Sequence, residues 1–118
     1  MSRQTLGRRG EDYAVQHLEA QGWVIHQRNW RCRHGEIDIV AVTPDGDTVV
    51  FVEVRTRSSE NAGHPLETIG VRKAARLRRT AGAWLSAQEA FIPQFRIDVI
   101  GILWSRRGPE IIHLEGLE

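Results

Sequence analysis

The sequence predicts a mixed α/β domain in which two helices pack on a central sheet, and three observations predict it. First, two apolar, β-branched runs, Gly35-Glu36-Ile37-Asp38-Ile39-Val40 and Phe51-Val52-Glu53-Val54-Arg55-Thr56-Arg57, flank Thr43-Pro44-Asp45-Gly46-Asp47. Asp-Gly between two such runs is the strongest short-range hairpin signal. Second, amphipathic stretches with helical spacing, residues 4–21 and 69–88, lie on either side of that hairpin. Third, two more strand-like runs, Phe95–Leu103 and Glu110–Leu114, follow the second helix. With Trp23–Gln27 as a short first strand, the order is α-β-β-β-α-β-β, a central mixed sheet flanked by helices.

The first helix, residues 4–21, stops at Gly22 and turns a broad stripe of Leu6, Tyr13, Ala14, His17 and Leu18 inward. Glu11 borders that stripe. It fits two readings: a first-turn acid favoured by the helix dipole and paired with Arg8, or a member of a functional site. Gly7 and Gly10 are poor helix formers, so something is expected to approach the backbone there. After the strand Trp23–Gln27 comes Arg28-Asn29-Trp30-Arg31-Cys32-Arg33, three arginines interleaved with an indole. Arginine forks grip phosphates and an indole stacks on an exposed base, which makes Arg28, Trp30 and Arg31 candidate nucleic-acid contacts. A solvated loop anchored by one tryptophan is the plainer alternative.

The hairpin carries the main chemical signal. If Asp45-Gly46 forms a two-residue turn, residues whose numbers sum to 91 face each other, and Asp38 lies opposite Glu53. A three-residue loop ending at Gly46 would shift that register by one. Asp38 shares a face with Glu36 and Val40, Glu53 with Phe51 and Arg55. The run from Val49 to Val54 is apolar on both faces, as in a strand covered on both sides. A carboxylate there loses hydration at a cost of several kcal/mol (order of magnitude) unless a partner or a metal replaces the water. Two such groups also repel, so a bare pair takes up a proton or a cation. Two facing acids thus point to a divalent-metal site, with acids at the rim of the sheet, one paired to Arg55, as the alternative.

Residues 58–68 are polar, with a Gly and a Pro, and read as a loop. The second helix, from about Ile69 to Gln88, buries Val71, Ala74, Leu77, Ala81, Trp84 and Leu85. It turns Arg72, Arg76 and Arg79 along another stripe, with Lys73 and Arg78 beside it. Five cations over eight residues with no balancing acid repel one another, which favours a phosphate-binding surface. Asp98, inside an apolar strand, is either a third member of the acidic site or the partner of a nearby arginine.

Composition bounds these readings. The 118 residues, 41% hydrophobic and 26% charged, are expected to form one domain, residues 1–118. Net charge is only +1, yet residues 1–79 hold 13 basic against 10 acidic side chains. Cys32, the single cysteine, excludes an internal disulfide and a cysteine-rich zinc site. No basic-then-apolar leader opens the sequence, and the longest apolar run, Val99–Trp104, is far shorter than a membrane span. A cytoplasmic protein with no membrane partner is the expectation.

The blocks Gly7-x-x-Gly10-Glu11, Arg28-Asn29-Trp30-Arg31, Gly35-Glu36-Ile37-Asp38 and Phe51-Val52-Glu53-Val54-Arg55 together resemble the YraN family. These are small bacterial proteins similar to archaeal Holliday-junction resolvases, within the restriction-endonuclease-like, PD-(D/E)xK, superfamily. The resemblance runs on through Lys73 and Phe95–Ile100. It implies a restriction-endonuclease-like fold and a Mg²⁺- or Mn²⁺-dependent nuclease acting on branched or structured DNA. Asp38, Glu53 and the Val54 carbonyl would be oxygen ligands, with Glu11 joining directly or through a water. Glu11, Asp38, Glu53, Arg55 and Lys73 would be the catalytic set, and Arg28, Trp30, Arg31, Arg57, Arg72, Arg76 and Arg79 the nucleic-acid contacts. Resolvases of this fold act as dimers, so a homodimer is a further implication. Arg55 stands where the superfamily has lysine; arginine cannot be a base, because its pKa lies above about 12, though it can steady charge on a phosphate. A non-catalytic nucleic-acid-binding module on an inactivated nuclease scaffold is the alternative function, and a protein-interaction module a third.

Overall fold

The computed structural model describes residues 2–58 and 69–117, so the expected loop lies, from residue 59 on, outside the described residues. Helix α1 spans Arg3–Ala20 and is followed by β1 (Val24–Cys32), β2 (Gly35–Val42) and β3 (Val49–Arg57). Helix α2 (Val71–Ser86), β4 (Phe95–Ser105) and β5 (Gly108–Leu114) complete the chain order expected from the sequence. The five strands form one mixed sheet in the order β1-β2-β3-β4-β5. Only β3 and β4 are parallel, because α2 carries the chain back between them.

Local chemistry fixes the ends of α1. The Ser2 hydroxyl accepts a hydrogen bond from the Thr5 amide at 3.1 Å, capping one of the unpaired first-turn donors. At the other end the Gly22 amide reaches the Glu19 carbonyl and the Trp23 amide the Leu18 carbonyl, with Gly22 at φ 93°. That double closure is a Schellman motif, and its usual apolar contact is present, since Leu18 and Trp23 share one core cluster.

Each helix covers one face of the sheet. On the α1 side Ala14 and Leu18 pack with Ile39, Ala41, Val50, Val52, Ile100 and Ile102. On the α2 side Ala81 and Trp84 pack with Ile37, Val40, Phe51 and Ile97. The hairpin register is the one whose numbers sum to 91, with Val42 facing Val49 and Ile39 facing Val52. Its loop is longer than an Asp-Gly turn. Thr43 and Thr48 close a four-residue connection, in which the Gly46 amide reaches the Thr43 carbonyl at 2.9 Å and Asp45 accepts from the Asp47 amide. Two extra residues, one on each side of the turn, leave the register unchanged.

Two expectations need correction. The arginine-rich segment after Gln27 is no loop: β1 continues through Cys32, with a register irregularity at His26. As an edge strand open to solvent on one side, it keeps little apolar alternation, which hid it. Val71, read as part of the buried stripe of α2, is 86% exposed, at the position where the helix begins. Thr80 takes the buried place instead, donating its hydroxyl to the Arg76 carbonyl at 2.8 Å.

Candidate functional site

The sheet opens around Asp38. In the sum-91 register the next pair beyond Ile39–Val52 is Asp38–Glu53, and there the β2–β3 ladder ends. The β1–β2 ladder also omits the position where Asn29 would face Asp38. Asn29 has φ 56°, in the left-handed region that asparagine tolerates better than most residues. Side-chain alternation fails at the same point. Ile37 and its partner Trp30 lie in the α2-side core, yet Ile39, two residues on, lies in the α1-side core. Asp38 therefore stands in a seam, and it lines grooves on both sides of the sheet.

The α2-side groove, about 250 Å³, is bounded by Gly35, Glu36, Asp38, Glu53, Lys73, Arg76, Leu77 and Thr80. The Asp38 and Glu53 carboxyl groups are within hydrogen-bonding reach of each other. Burial first, and then the Glu53 charge, push the Asp38 carboxyl up to about 8, while the Val54 amide, donating to Asp38 Oδ2 at 2.8 Å, pulls the other way. Desolvation and a like charge disfavour the ionised form, and one N–H cannot offset both. Glu53, with 13% of its side chain exposed, has Lys73 Nζ at 3.6 Å. Gly35 makes room for α2: a side chain there would meet the Thr80 hydroxyl at 3.1 Å, and its φ of 149° disfavours other residues.

The α1-side groove, about 720 Å³, holds Glu11. Glu11 Oε1 accepts from Arg28 Nε and from Asn29 Nδ2, each at 3.0 Å, and Arg28 Nη2 reaches Asp12 Oδ1 at 2.6 Å. Glu11 contributes, last of the causes, to raising Asp38, so its charge is felt at the pair. Helix α1 is set down by Gly10. A Cβ at that position would overlap the Thr56 side chain on β3, the close approach that its glycine foretold. Gly7 has no neighbour that a Cβ would meet and lines the open groove instead.

The structure thus brings Asp38, Glu53, the Val54 amide and Lys73 together, with Glu11 on the opposite wall and Arg76 at the rim. Arg55, two residues beyond Glu53, is partly buried opposite Gly101. Arg28 is occupied by Glu11 and Asp12, not presented as a fork to solvent. Trp30 packs against the α2-side core, and Arg31 pairs with Glu36 at 2.8 Å while staying largely exposed. Arg57 donates to the Thr56 carbonyl, and Arg57, Arg72 and Arg79 line neither groove. Among the described residues, no three acids, histidines or cysteines converge in a ready metal site. Asp98 is not part of the site: it is fully buried against Arg96, His113 and the Gly116 amide. Sequence reasoning missed Asn29 and Asp12 as partners in the Glu11 network. An asparagine inside a strand was the available signal, since the residue is rare there except where the backbone turns left-handed.

Comparison with known proteins gives a consistent family. The model of "Uncharacterised protein family UPF0102" matches residues 10–102, a span that includes Glu11, Asp38 and Glu53. A UPF0102 protein of Leifsonia xyli is 52% identical over 95% of this chain and 94% of its own. Those of an Arthrobacter species and Mycolicibacterium smegmatis are 51% and 49% identical, covering 95% and 99% of this chain and 94% and 95% of theirs. A solved structure of Pyrococcus furiosus SfsA in complex with Ca²⁺ aligns with 98% of this chain, which spans 64% of that one, at 15% identity and a TM-score of 0.39. That likeness is too loose to bear on the fold or the chemistry here. The sequence relatives are decisive by themselves, and the chain belongs to the UPF0102 family of small bacterial proteins.

Proposed function

We propose that the seam around Asp38 is the active site of a nuclease that hydrolyses phosphodiester bonds with a bound Mg²⁺ or Mn²⁺, its substrate being branched or structured DNA. One observation carries the reading: the carboxyl groups of Asp38 and Glu53, from adjacent strands, line one groove within reach of each other, and burial together with the Glu53 charge raises Asp38 to about 8, so that it holds a proton at neutral pH. The donor set fits a hard divalent cation, which takes oxygen ligands and displaces such a proton. Asp38 and Glu53 would hold it, with the Val54 carbonyl and Glu11 as the further oxygen donors of the proposal. When bound, it would polarise the phosphodiester and lower the pKa of the attacking water. Lys73 beside Glu53 and Arg76 at the rim supply positive charge where the phosphate would rest. Arg55 would help to balance charge on the phosphate, as arginine can donate but not act as base. Exposed Arg72 and Arg79 extend the basic face of α2 away from the groove and would follow the backbone of the nucleic acid.

The test is a cleavage panel of single-stranded, duplex, flap and four-way-junction DNA with Mn²⁺, wild type beside Asp38→Asn and Glu53→Gln. Cleavage that chelator abolishes, and that both variants lose while remaining folded, is the expected result. A second reading, a nucleic-acid-binding module without catalysis, draws on Arg55 at the superfamily lysine position. It would be favoured by salt-sensitive DNA binding that survives both substitutions and weakens in Arg72→Ala or Arg76→Ala.

A further inference from the structure

We infer that Arg28 and Asn29 are positioning residues that hold Glu11 as the outlying acid of the proposed cation site, an inference that rests on that reading of the seam. Both contacts fall on one oxygen: Arg28 Nε and Asn29 Nδ2 each lie 3.0 Å from Glu11 Oε1. Oε2 accepts no hydrogen bond among the described residues, although the Glu11 side chain is only 12% exposed. Among the described residues the carboxylate is thus fixed through one oxygen, with the other left without a partner. Arg28 is itself anchored from a second side by Asp12, 2.6 Å from Nη2, so its fork is held in place rather than swinging with solvent. Asn29 adds a backbone argument. Its left-handed φ falls where the β1–β2 ladder skips Asp38, so the kink that frees Asp38 also aims the Asn29 amide at Glu11. Strain of this kind is kept where the surroundings over-determine it, and it clusters at functional sites.

Charge explains why the arrangement is needed. Glu11, Asp38 and Glu53 repel one another across the seam. Lys73 offsets Glu53, Arg28 offsets Glu11, and among the described residues Asp38 has no cation of its own. Glu11 therefore sits near the pair without joining it, held by Arg28 and Asn29 on the α1 side of the seam, where it would reach the cation through a water. The roles of Arg28 as charge and as clamp predict opposite signs. Removing a positive charge near a cation site should strengthen cation binding; removing a clamp on a ligand should weaken it.

The test is Mn²⁺ affinity by isothermal titration of the full chain, with thermal melts as the check on folding. Wild type is compared with Glu11→Gln, Arg28→Ala, Arg28→Lys, Asn29→Gly and the double variant Arg28→Ala/Glu11→Gln. Glu11→Gln and Arg28→Ala are each expected to weaken Mn²⁺ binding about tenfold, and the double variant no further than Glu11→Gln. Arg28→Lys keeps the charge but loses the fork and should not restore affinity. Asn29→Gly keeps the left-handed backbone, so a loss of severalfold there reports the amide alone. Affinity that is unchanged or tighter in Arg28→Ala, or effects that add in the double variant, would overturn the inference while leaving the cation site standing. Wild-type protein that binds no Mn²⁺ would sink the cation site itself, and the inference with it.

Discussion

Two aspartates sit inside neighbouring parts of the same sheet, and they have opposite fates. Asp98 on β4 is fully buried, yet its carboxyl lies below the ordinary aspartate value. Burial alone would raise it, but His113 Nε2 at 2.7 Å, the paired nitrogens of Arg96 and the Gly116 amide outweigh that penalty together. Among the described residues, Asp38 on β2 has one amide donor, no cation and a second carboxyl group within reach, and it rises to about 8. Burial is common to both; the partners differ. A buried acid that a fold has satisfied joins elements together, here β4, β5 and the segment after β5. A buried acid left without a counter-charge among the described residues is a candidate for binding something.

Breaking the satisfied site should have the largest effect. Asp98→Ala leaves Arg96 and His113 without their shared acceptor and should destabilise the fold by about 3–5 kcal/mol, read from urea denaturation. The pH dependence has a definite sign. A lowered folded pKa gives stability that is present above the unfolded value of 3.8 and is lost as pH falls through the still lower folded value, so Asp98 holds the fold together against acid. An Asp98→Ala chain with wild-type stability would remove the contrast altogether.

Asp38 works in the other direction. Its folded pKa is raised, so its contribution is fully present below the unfolded value of 3.8 and is lost as pH rises through about 8. Asp38→Asn should therefore match wild type near pH 4 and exceed it by about 2–3 kcal/mol near pH 9, a conservative fraction of what such a shift implies. Urea midpoints at the two pH values check this, and parallel curves would show that Asp38 is solvated after all. In the wild type, Mn²⁺ should restore stability most at the high end of that range, because below about pH 8 the cation must first displace the Asp38 proton.

The two aspartates were not equally legible in the sequence. The register that sets Asp38 near Glu53 followed from the hairpin, because adding one residue to each side of the turn cannot change it. The element order and most of both buried stripes were likewise readable from periodicity. What escaped notice lies where periodicity breaks. Ile37, Asp38 and Ile39 read as a regular strand, but the kink at Asn29 divides them between two cores. The arginines of β1 looked like phosphate forks because their composition fits that role, whereas Arg28 is committed to acids on α1, a contact between elements that no local pattern encodes. The setting of α1 on β3 is a case between the two. Gly10 marked a close approach without naming Thr56 as the neighbour, and Gly10→Ala should cost about 1–3 kcal/mol by forcing the pair apart. A thermal melt tests that, and an Ala variant as stable as wild type would mean that α1 can shift outward freely, taking Glu11 with it.

The smallest effect makes the sharpest distinction between balancing a charge and positioning a ligand. Lys73 lies 3.6 Å from Glu53 and is 43% exposed, so solvent screens the pair and Lys73→Met should alter stability by about 0.5 kcal/mol at most. Its effect on Mn²⁺ affinity should nevertheless have a clear sign. Among the described residues Lys73 makes one long ionic contact and no fork, so it would compete with the proposed cation for Glu53 without orienting it, and its loss should tighten Mn²⁺ binding by about two- to threefold. Arg28, whose guanidinium joins two acids at short range, is expected to act oppositely. If Mn²⁺ titrations of Lys73→Met and Arg28→Ala move in the same direction, the two flanks of the seam are equivalent, and the asymmetry between α1 and α2 has no chemical meaning. If Lys73→Met binds Mn²⁺ more tightly yet cleaves more slowly, the lysine serves the phosphate rather than the cation.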